Sequence, residues 1–178
     1  MKKILLLLLL GWSNYGFCQT EIGLEFQVYP TGLLSGIHLE YEIGTHSGLQ
    51  GRIGYNLVRH RDLGVQEDER GGGFGGTLGY RYYSKVDRKG LMLGVRCDLW
   101  WNELDWRNNI GLLNETNGTT RVTVLQPTAE LGYVLLSKNE LLILPTIALG
   151  AEINIKTEGA EVGQGAILLL GASLIKRF

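Results

Sequence analysis

From residue 20 onward the chain carries one pattern eight times: apolar side chains at every second position, with charges and glycines between them. "EIGLEFQVY" sets Ile22, Leu24, Phe26 and Val28 on one side, and "GIHLEYEIG" does the same with Ile37, Leu39, Tyr41 and Ile43. "LQGRIGYNL", "FGGTLGYRYYS", "GLMLGVRCDLWW", "TAELGYVLLS" and "TIALGAEINI" repeat the alternation. The last run, "AILLLGASLIKRF", is apolar on both faces, with Leu168, Leu170, Ala172, Leu174 and Phe178 on its even side. A period of two is the signature of a β-strand with two unlike faces. The abundance of glycine, 26 residues against 3 prolines, suits strands and turns better than helices.

The second face decides the architecture. It carries Glu40, Glu42, Arg52, Arg81, Arg96, Asp98, Glu130 and Glu152, with His38 beside Glu40 and glycines such as Gly54, Gly79, Gly94, Gly132 and Gly150 between them. A basic side chain turned to lipid at mid-membrane costs about 2–4 kcal/mol. Several would rival the roughly 5–15 kcal/mol that holds a domain together. The charged face is therefore expected to point inward, where acids and bases pair. The connections alternate as well: "THSG", "SKVDRKG" and "SKNE" are short, whereas residues 59–73 and 102–120 form long polar stretches. Membrane strands need about 9–11 residues. Together these features predict an all-β fold, an eight-stranded antiparallel up-and-down transmembrane β-barrel with short periplasmic turns and longer extracellular loops. Eight strands leave an interior just wide enough for side chains to fill. The expected lumen is thus plugged by a structural polar network of His38, Glu40, Glu42, Arg52, Arg81, Arg96, Asp98, Glu130 and Glu152.

Aromatic residues are expected in two interfacial belts. Tyr41, Tyr80, Tyr82, Tyr133 and Phe178 fall near the short turns, and Tyr29, Trp100, Trp101 and Trp106 near the long connections. Two places strain the alternation. Val122 and Val124 have the opposite parity to Leu131 and Tyr133, and Pro145 lies inside a run. Bulges are expected near Gln126–Pro127 and near Pro145.

The opening "MKKILLLLLLGWSNYGFCQT" has the order of a secretory signal peptide: two lysines, an apolar run, then small residues Gly16 and Cys18. The expected organisation is a cleaved leader over residues 1–18 and one barrel domain over 19–178. The apolar run is far short of the roughly 20 residues of a spanning helix. Cys97 is then the single cysteine of the mature chain, which excludes an internal disulfide. The formal net charge of -1 gives no support for nucleic-acid binding.

The leader ending "FCQT", the strands "LGYRYYS" and "AELGYVLLS", and the terminal "GASLIKRF" resemble the small outer-membrane barrels of the OmpA/OmpX type. More closely, the chain is similar to the single-domain outer-membrane β-barrel proteins of Bacteroidota-like bacteria. The resemblance implies a place in the outer membrane among its lipids. It also implies that Phe178, as a terminal aromatic, is the signal read by the barrel-assembly machinery. Lys176 departs from the apolar residue more usual two positions before the end.

Motifs for chemistry are weak. "GGGFGG" does not continue into the Lys-Ser/Thr of a phosphate loop. His38, His46 and His60 lack metal-ligand spacing, so neither a metal nor a cofactor is expected. Three functional classes follow. The first is a non-enzymatic surface barrel, with residues 59–73 and 102–120 available to an extracellular partner. The second is a lipid-modifying barrel enzyme, for which the one adjacent serine–histidine pair is His46–Ser47 in a short turn. The third is a secreted lipocalin-like barrel holding an apolar ligand, which requires the apolar face inside.

Overall fold

The computed structural model describes residues 20–62, 65–136 and 141–178. The expected leader, residues 1–18, and the "SKNE" turn after Leu136 lie outside the described residues. Eight strands follow one another: β1 (Thr20–Tyr29), β2 (Gly32–Gly44), β3 (Ser47–Arg61), β4 (Asp68–Lys85), β5 (Lys89–Asn108), β6 (Thr116–Leu136), β7 (Leu141–Glu158) and β8 (Gly165–Arg177). Each pairs antiparallel with the next, and β1 pairs with β8, so the sheet closes on itself as an up-and-down barrel. Closure removes both sheet edges. The first and last described residues are joined to each other: the Phe178 amide donates to the Thr20 carbonyl at 3.0 Å.

Alternation sorts the side chains as a membrane barrel requires. Leu78, Ile53 and Phe74 on the outer face are 76%, 73% and 71% exposed. Arg52, Arg81, Arg96, Asp98 and Glu130 on the inner face are at most 4% exposed. A lipocalin-like distribution, with apolar lumen and charged exterior, is the reverse of this one. The outer apolar band has sharp limits. On β5 it runs from Leu91 to Trp101 and gives way on the same face to Glu103, Asp105 and Arg107. Arg59, Arg70, Arg121 and Lys156 mark the same level on β3, β4, β6 and β7.

The long connections are mostly sheet. β5 and β6 have 20 and 21 residues, about twice a membrane strand. Among the described residues, 59–73 and 102–120, expected as loops, are therefore mostly hairpin extensions of the barrel wall, with irregular residues at 62, 65–67 and 109–115. Cross-strand pairing explains the extension. Arg107 meets Asp68 at 2.9 Å, and Arg121 meets Glu103 at 2.7 Å. Polar residues remain in strand because the ladder continues beneath them.

Neither proline produces a bulge. Leu125 pairs with Ile153 and Thr128 with Gly150, so both strands advance equally past Pro127. Pro145 keeps register with Ala172. Each proline instead interrupts the β6–β7 pairing locally, because it has no N–H to donate. Val122 and Val124 need no parity change either. They share the inward face with Gln126, Thr128 and Glu130 and are buried there. The actual shift lies between Thr123 and Val124, where Lys156 and Asn154 are successive partners and Ile155 is extra. That bulge turns Thr157 inward and Lys156 outward.

Candidate functional site

The barrel interior is layered. Its middle is ionic, with one or two contributions from each of β1 to β6. Glu25 comes from β1, His38 and Glu40 from β2, Arg52 from β3, Arg81 from β4, Arg96 and Asp98 from β5, and Glu130 from β6. Arg81 is the hub. Its Nε donates to Glu130 at 2.7 Å, its Nη1 to Glu40 at 3.2 Å, and its Nη2 lies 3.5 Å from Glu25. Arg52 bridges Glu25 at 2.7 Å and Asp98 at 2.9 Å. Arg96 bridges Glu25 at 3.0 Å and Asp98 at 3.4 Å. His38 lies between Glu25 at 3.3 Å and Glu40 at 3.5 Å. Neutral side chains complete the set: Gln27 accepts from both Arg52 and Arg96, Thr77 donates to Asp98, and Gln50 donates to Glu130 at 2.8 Å. A buried charge must be paired and hydrogen-bonded to be tolerable; this set pairs its charges by sharing carboxylates among arginines, and leaves Gln27 Nε2, His38 Nδ1 and Asp98 Oδ2 without a hydrogen bond. Glycine provides the space: a Cβ on Gly94 would lie 2.7 Å from the Glu130 side chain.

Two expected members sit apart. Glu42 is partly exposed at the short-turn end, 3.6 Å from Arg88. Glu152 lies toward the long-hairpin end, where its carboxylate accepts from Gln126 at 3.3 Å. Glu25 was legible from the alternation of β1, being two positions from both Gly23 and Gln27, yet the sequence reading omitted it. Arg88 had no such signal. It stands in the β4–β5 turn with φ 50° and folds back beneath the barrel, 3.2 Å from Glu21 and 3.6 Å from Glu40. Tyr83 was likewise missed. Its hydroxyl donates to Glu40 at 2.8 Å.

Apolar layers enclose the ionic one. Tyr83, Met92, Val134, Leu142, Leu144 and Ile175 cluster toward the short turns. Trp100, Leu34, Val124, Ala148 and Leu169 belong to a second cluster toward the hairpins. Trp100 is fully buried, stacks over the Arg52 guanidinium at 5.4 Å and donates to Gln126 at 3.0 Å. It is thus a lid on the arginines and not the interfacial residue expected. Tyr29 is also inward, donating to Asn56 at 2.5 Å, and Trp106 shares the inward parity of β5. The outer aromatics at that level are Tyr55, Phe74 and Trp101. At the opposite end Tyr41, Tyr80, Tyr82, Tyr133 and Phe178 are exposed on the outer face, as the alternation predicts.

Above Trp100 the lumen opens into a cavity of about 710 Å³ at the hairpin end. Its walls combine Tyr29, Val58, Leu104 and Val122 with His60, Glu69, Asn102 and Glu152. Glu161, Val162, Gly163 and Gln164 also line it. Val162 is buried there, and Asn154 holds the Val162 carbonyl at 3.1 Å. Among the described residues, no three His, Cys, Asp or Glu side chains gather as metal ligands. The His46–Ser47 pair offers no activated nucleophile. The Ser47 hydroxyl lies 2.9 Å from the Tyr80 hydroxyl, His46 Nδ1 is 3.0 Å from Thr45, and the His46 ring stacks on Tyr82.

Solved structures share this architecture. Ail, the attachment invasion locus protein of Yersinia pestis, aligns over 90% of this chain and 97% of its own, with TM-score 0.52 and 13% identity. The fold is that of the small outer-membrane barrels. Neisserial surface protein A aligns over 90% of this chain and 96% of its own, with TM-score 0.50 and 10% identity. The N-terminal barrel domain of Pseudomonas aeruginosa OprF aligns over 88% and 96%, with TM-score 0.48 and 16% identity. No family model and no curated protein matches the sequence.

Proposed function

We propose that the chain resides in the outer membrane as a non-enzymatic barrel whose lumen is plugged and whose extended hairpins form an outward contact surface. The observation that carries this reading is the inversion of burial: an exposed apolar band surrounds a core of arginines and carboxylates. In water that arrangement would expose aliphatic side chains along every strand, whereas in a bilayer it matches each surface to its surroundings. The side with short turns then faces the periplasm and the hairpins of β3–β6 face outward. Phe178 is exposed beside the closing strand, with Lys176 Nζ 5.2 Å from its ring, as an outer aromatic at the short-turn end.

The hairpins are suited to binding because they are rigid ladders with charged outer faces. The Ail structure is a complex with the heparin analogue sucrose octasulfate. The walls of the cavity here carry Glu69, Glu152 and Glu161 and no lysine or arginine among the described residues, so a polyanion is not the ligand its chemistry favours. Membrane fractionation with gel migration before and after boiling tests the placement. Recovery of unboiled, compact protein from the outer-membrane fraction is expected, and a fully soluble periplasmic pool would overturn it. Planar-bilayer recordings test the plug: the intact protein should give no steady conductance.

A further inference from the structure

We propose that the cavity at the hairpin end binds a small organic cation bearing an apolar group, such as an aryl-alkyl ammonium. Its volume, about 710 Å³, falls in the range of small-molecule sites. The lower wall is apolar, from Tyr29, Val58, Leu104 and Val122. The polar groups on its walls are mainly acceptors. Glu152 has a neutral partner, Gln126, where every carboxylate of the ionic layer has an arginine. Asn102 is 4% exposed and its Oδ1 has no hydrogen-bond partner. His60 is 7% exposed; its Nε2 lies 2.9 Å from Glu69, and its Nδ1 has no partner. Buried polar atoms without partners are rare in native proteins, and here three of them, Asn154 Oδ1 included, line one cavity beside a carboxylate that has no arginine. An ammonium supplies what they lack: a positive charge for Glu152 and N–H donors for Asn102 and His60. An apolar substituent would cover the aliphatic wall. The ion-pair layer lies beneath Trp100 and is linked to the site through Gln126, which accepts from Trp100 and donates to Glu152.

Calorimetric titration of the folded protein in detergent distinguishes the chemistry, with protein-free micelles as the blank. Three probes of one shape are used: phenethylammonium, 2-phenylethanol and phenylacetate. Phenethylammonium should bind at least ten-fold more tightly than 2-phenylethanol, and phenylacetate should not bind. Glu152→Gln should reduce the amine affinity about ten-fold and leave the alcohol unchanged, in protein whose heat-modifiable migration shows it folded. Equal affinity for amine and alcohol, no heat from any probe, or an unaltered amine affinity in Glu152→Gln would each overturn the proposal. If Glu152→Gln does not fold, the native protein still decides. The Asn102 side-chain amide and His60 ring resonances must shift on adding the amine and stay fixed on adding phenylacetate; any other pattern refutes the site.

Discussion

Replacing Arg81 by methionine tests the ionic layer at its hub. The substitution keeps the volume of the side chain roughly and removes the charge. It deletes contacts of 2.7 Å to Glu130, 3.2 Å to Glu40 and 3.5 Å to Glu25. Breaking a buried pair from one side costs about 3–5 kcal/mol, because the remaining charge is left uncompensated. The low end applies here. Glu130 retains Gln50 at 2.8 Å and Arg96 at 3.9 Å, and Glu40 retains Tyr83 at 2.8 Å and Arg88 at 3.6 Å. We expect a loss of about 3 kcal/mol for Arg81→Met, and a similar loss for Glu130→Gln, which strands the guanidinium instead. Independent effects would sum to about 6 kcal/mol, but the double variant removes one charge of each sign and should recover up to about 3 kcal/mol as coupling. Urea titration of the protein folded into lipid vesicles, followed by tryptophan fluorescence, gives each free energy by linear extrapolation. If Arg81→Met stayed within about 0.5 kcal/mol of the parent, the layer would not hold the barrel together. Additive losses in the double variant would refute the pairing itself.

On the outer face, Leu149→Arg, level with Val95 at the middle of the apolar band, should destabilise the vesicle-folded barrel by about 2–4 kcal/mol, whereas the same change at Leu113, in the exposed tip at 109–115, should have little effect; equal effects would disprove the position of the apolar band. Gly75→Val places a Cβ against both the Leu99 carbonyl oxygen and the Trp100 ring, so the backbone must shift as well as the ring and overpacking at or above the top of the usual ~1–3 kcal/mol is expected, with an altered near-ultraviolet circular dichroism signal from the displaced indole. At the hairpin end, the hydrogen bond from Arg107 holds the Asp68 carboxyl below the ordinary carboxylate range, with Arg70 assisting. A depressed folded value means the contribution is complete above the unfolded pKa near ~3.9 and is lost as pH falls through the folded value. Amide protection factors, corrected for the intrinsic pH dependence of exchange, should therefore fall in the paired tips of β4 and β5 below about pH 4, and Asp68→Asn should abolish that acid-dependent step.

What the sequence made legible was parity. Glu40, Arg52 and Arg96 could be assigned to one face because each alternates with an outward aliphatic neighbour, Leu39, Ile53 and Val95, and a single register slip would have inverted all of them. The same rule placed Val122 and Val124 inward, yet apolar residues on a charged face looked like an error of register and prompted an unnecessary bulge near Pro127. Trp100 and Tyr29 misled for the same reason: proximity to an interface suggested a belt, although parity already turned both inside. Arg88 was illegible in principle, since a turn has no period, and its inward swing depends on the backbone geometry of three residues. The hairpin extensions of β4–β6 were hidden by polarity. A strand beyond the bilayer has no apolar face to announce it, and the Arg107–Asp68 and Arg121–Glu103 pairs are apparent only after the register is known.

The division of labour around the barrel accounts for the run that fitted the pattern least. Strands β1–β6 carry every charge of the middle layer, while β7 and β8 offer Thr146, Gly171 and Ser173 at that level. Ser173 is close enough to donate to Glu25 at 3.3 Å. Above and below, the inward positions of β7 and β8 become apolar: Ala148 and Leu169 on one side, Leu144 and Ile175 on the other. The two-faced apolarity of "AILLLGASLIKRF" is therefore the trace of two internal lids on one strand, with a small polar gap between them. Such lids exclude water from the arginines, which strengthens each ion pair and raises the cost of any polar atom left unpaired. A single carboxylate added beside those lids, as in Leu169→Glu, would meet no free arginine and should prevent folding where Ser173→Ala is tolerated.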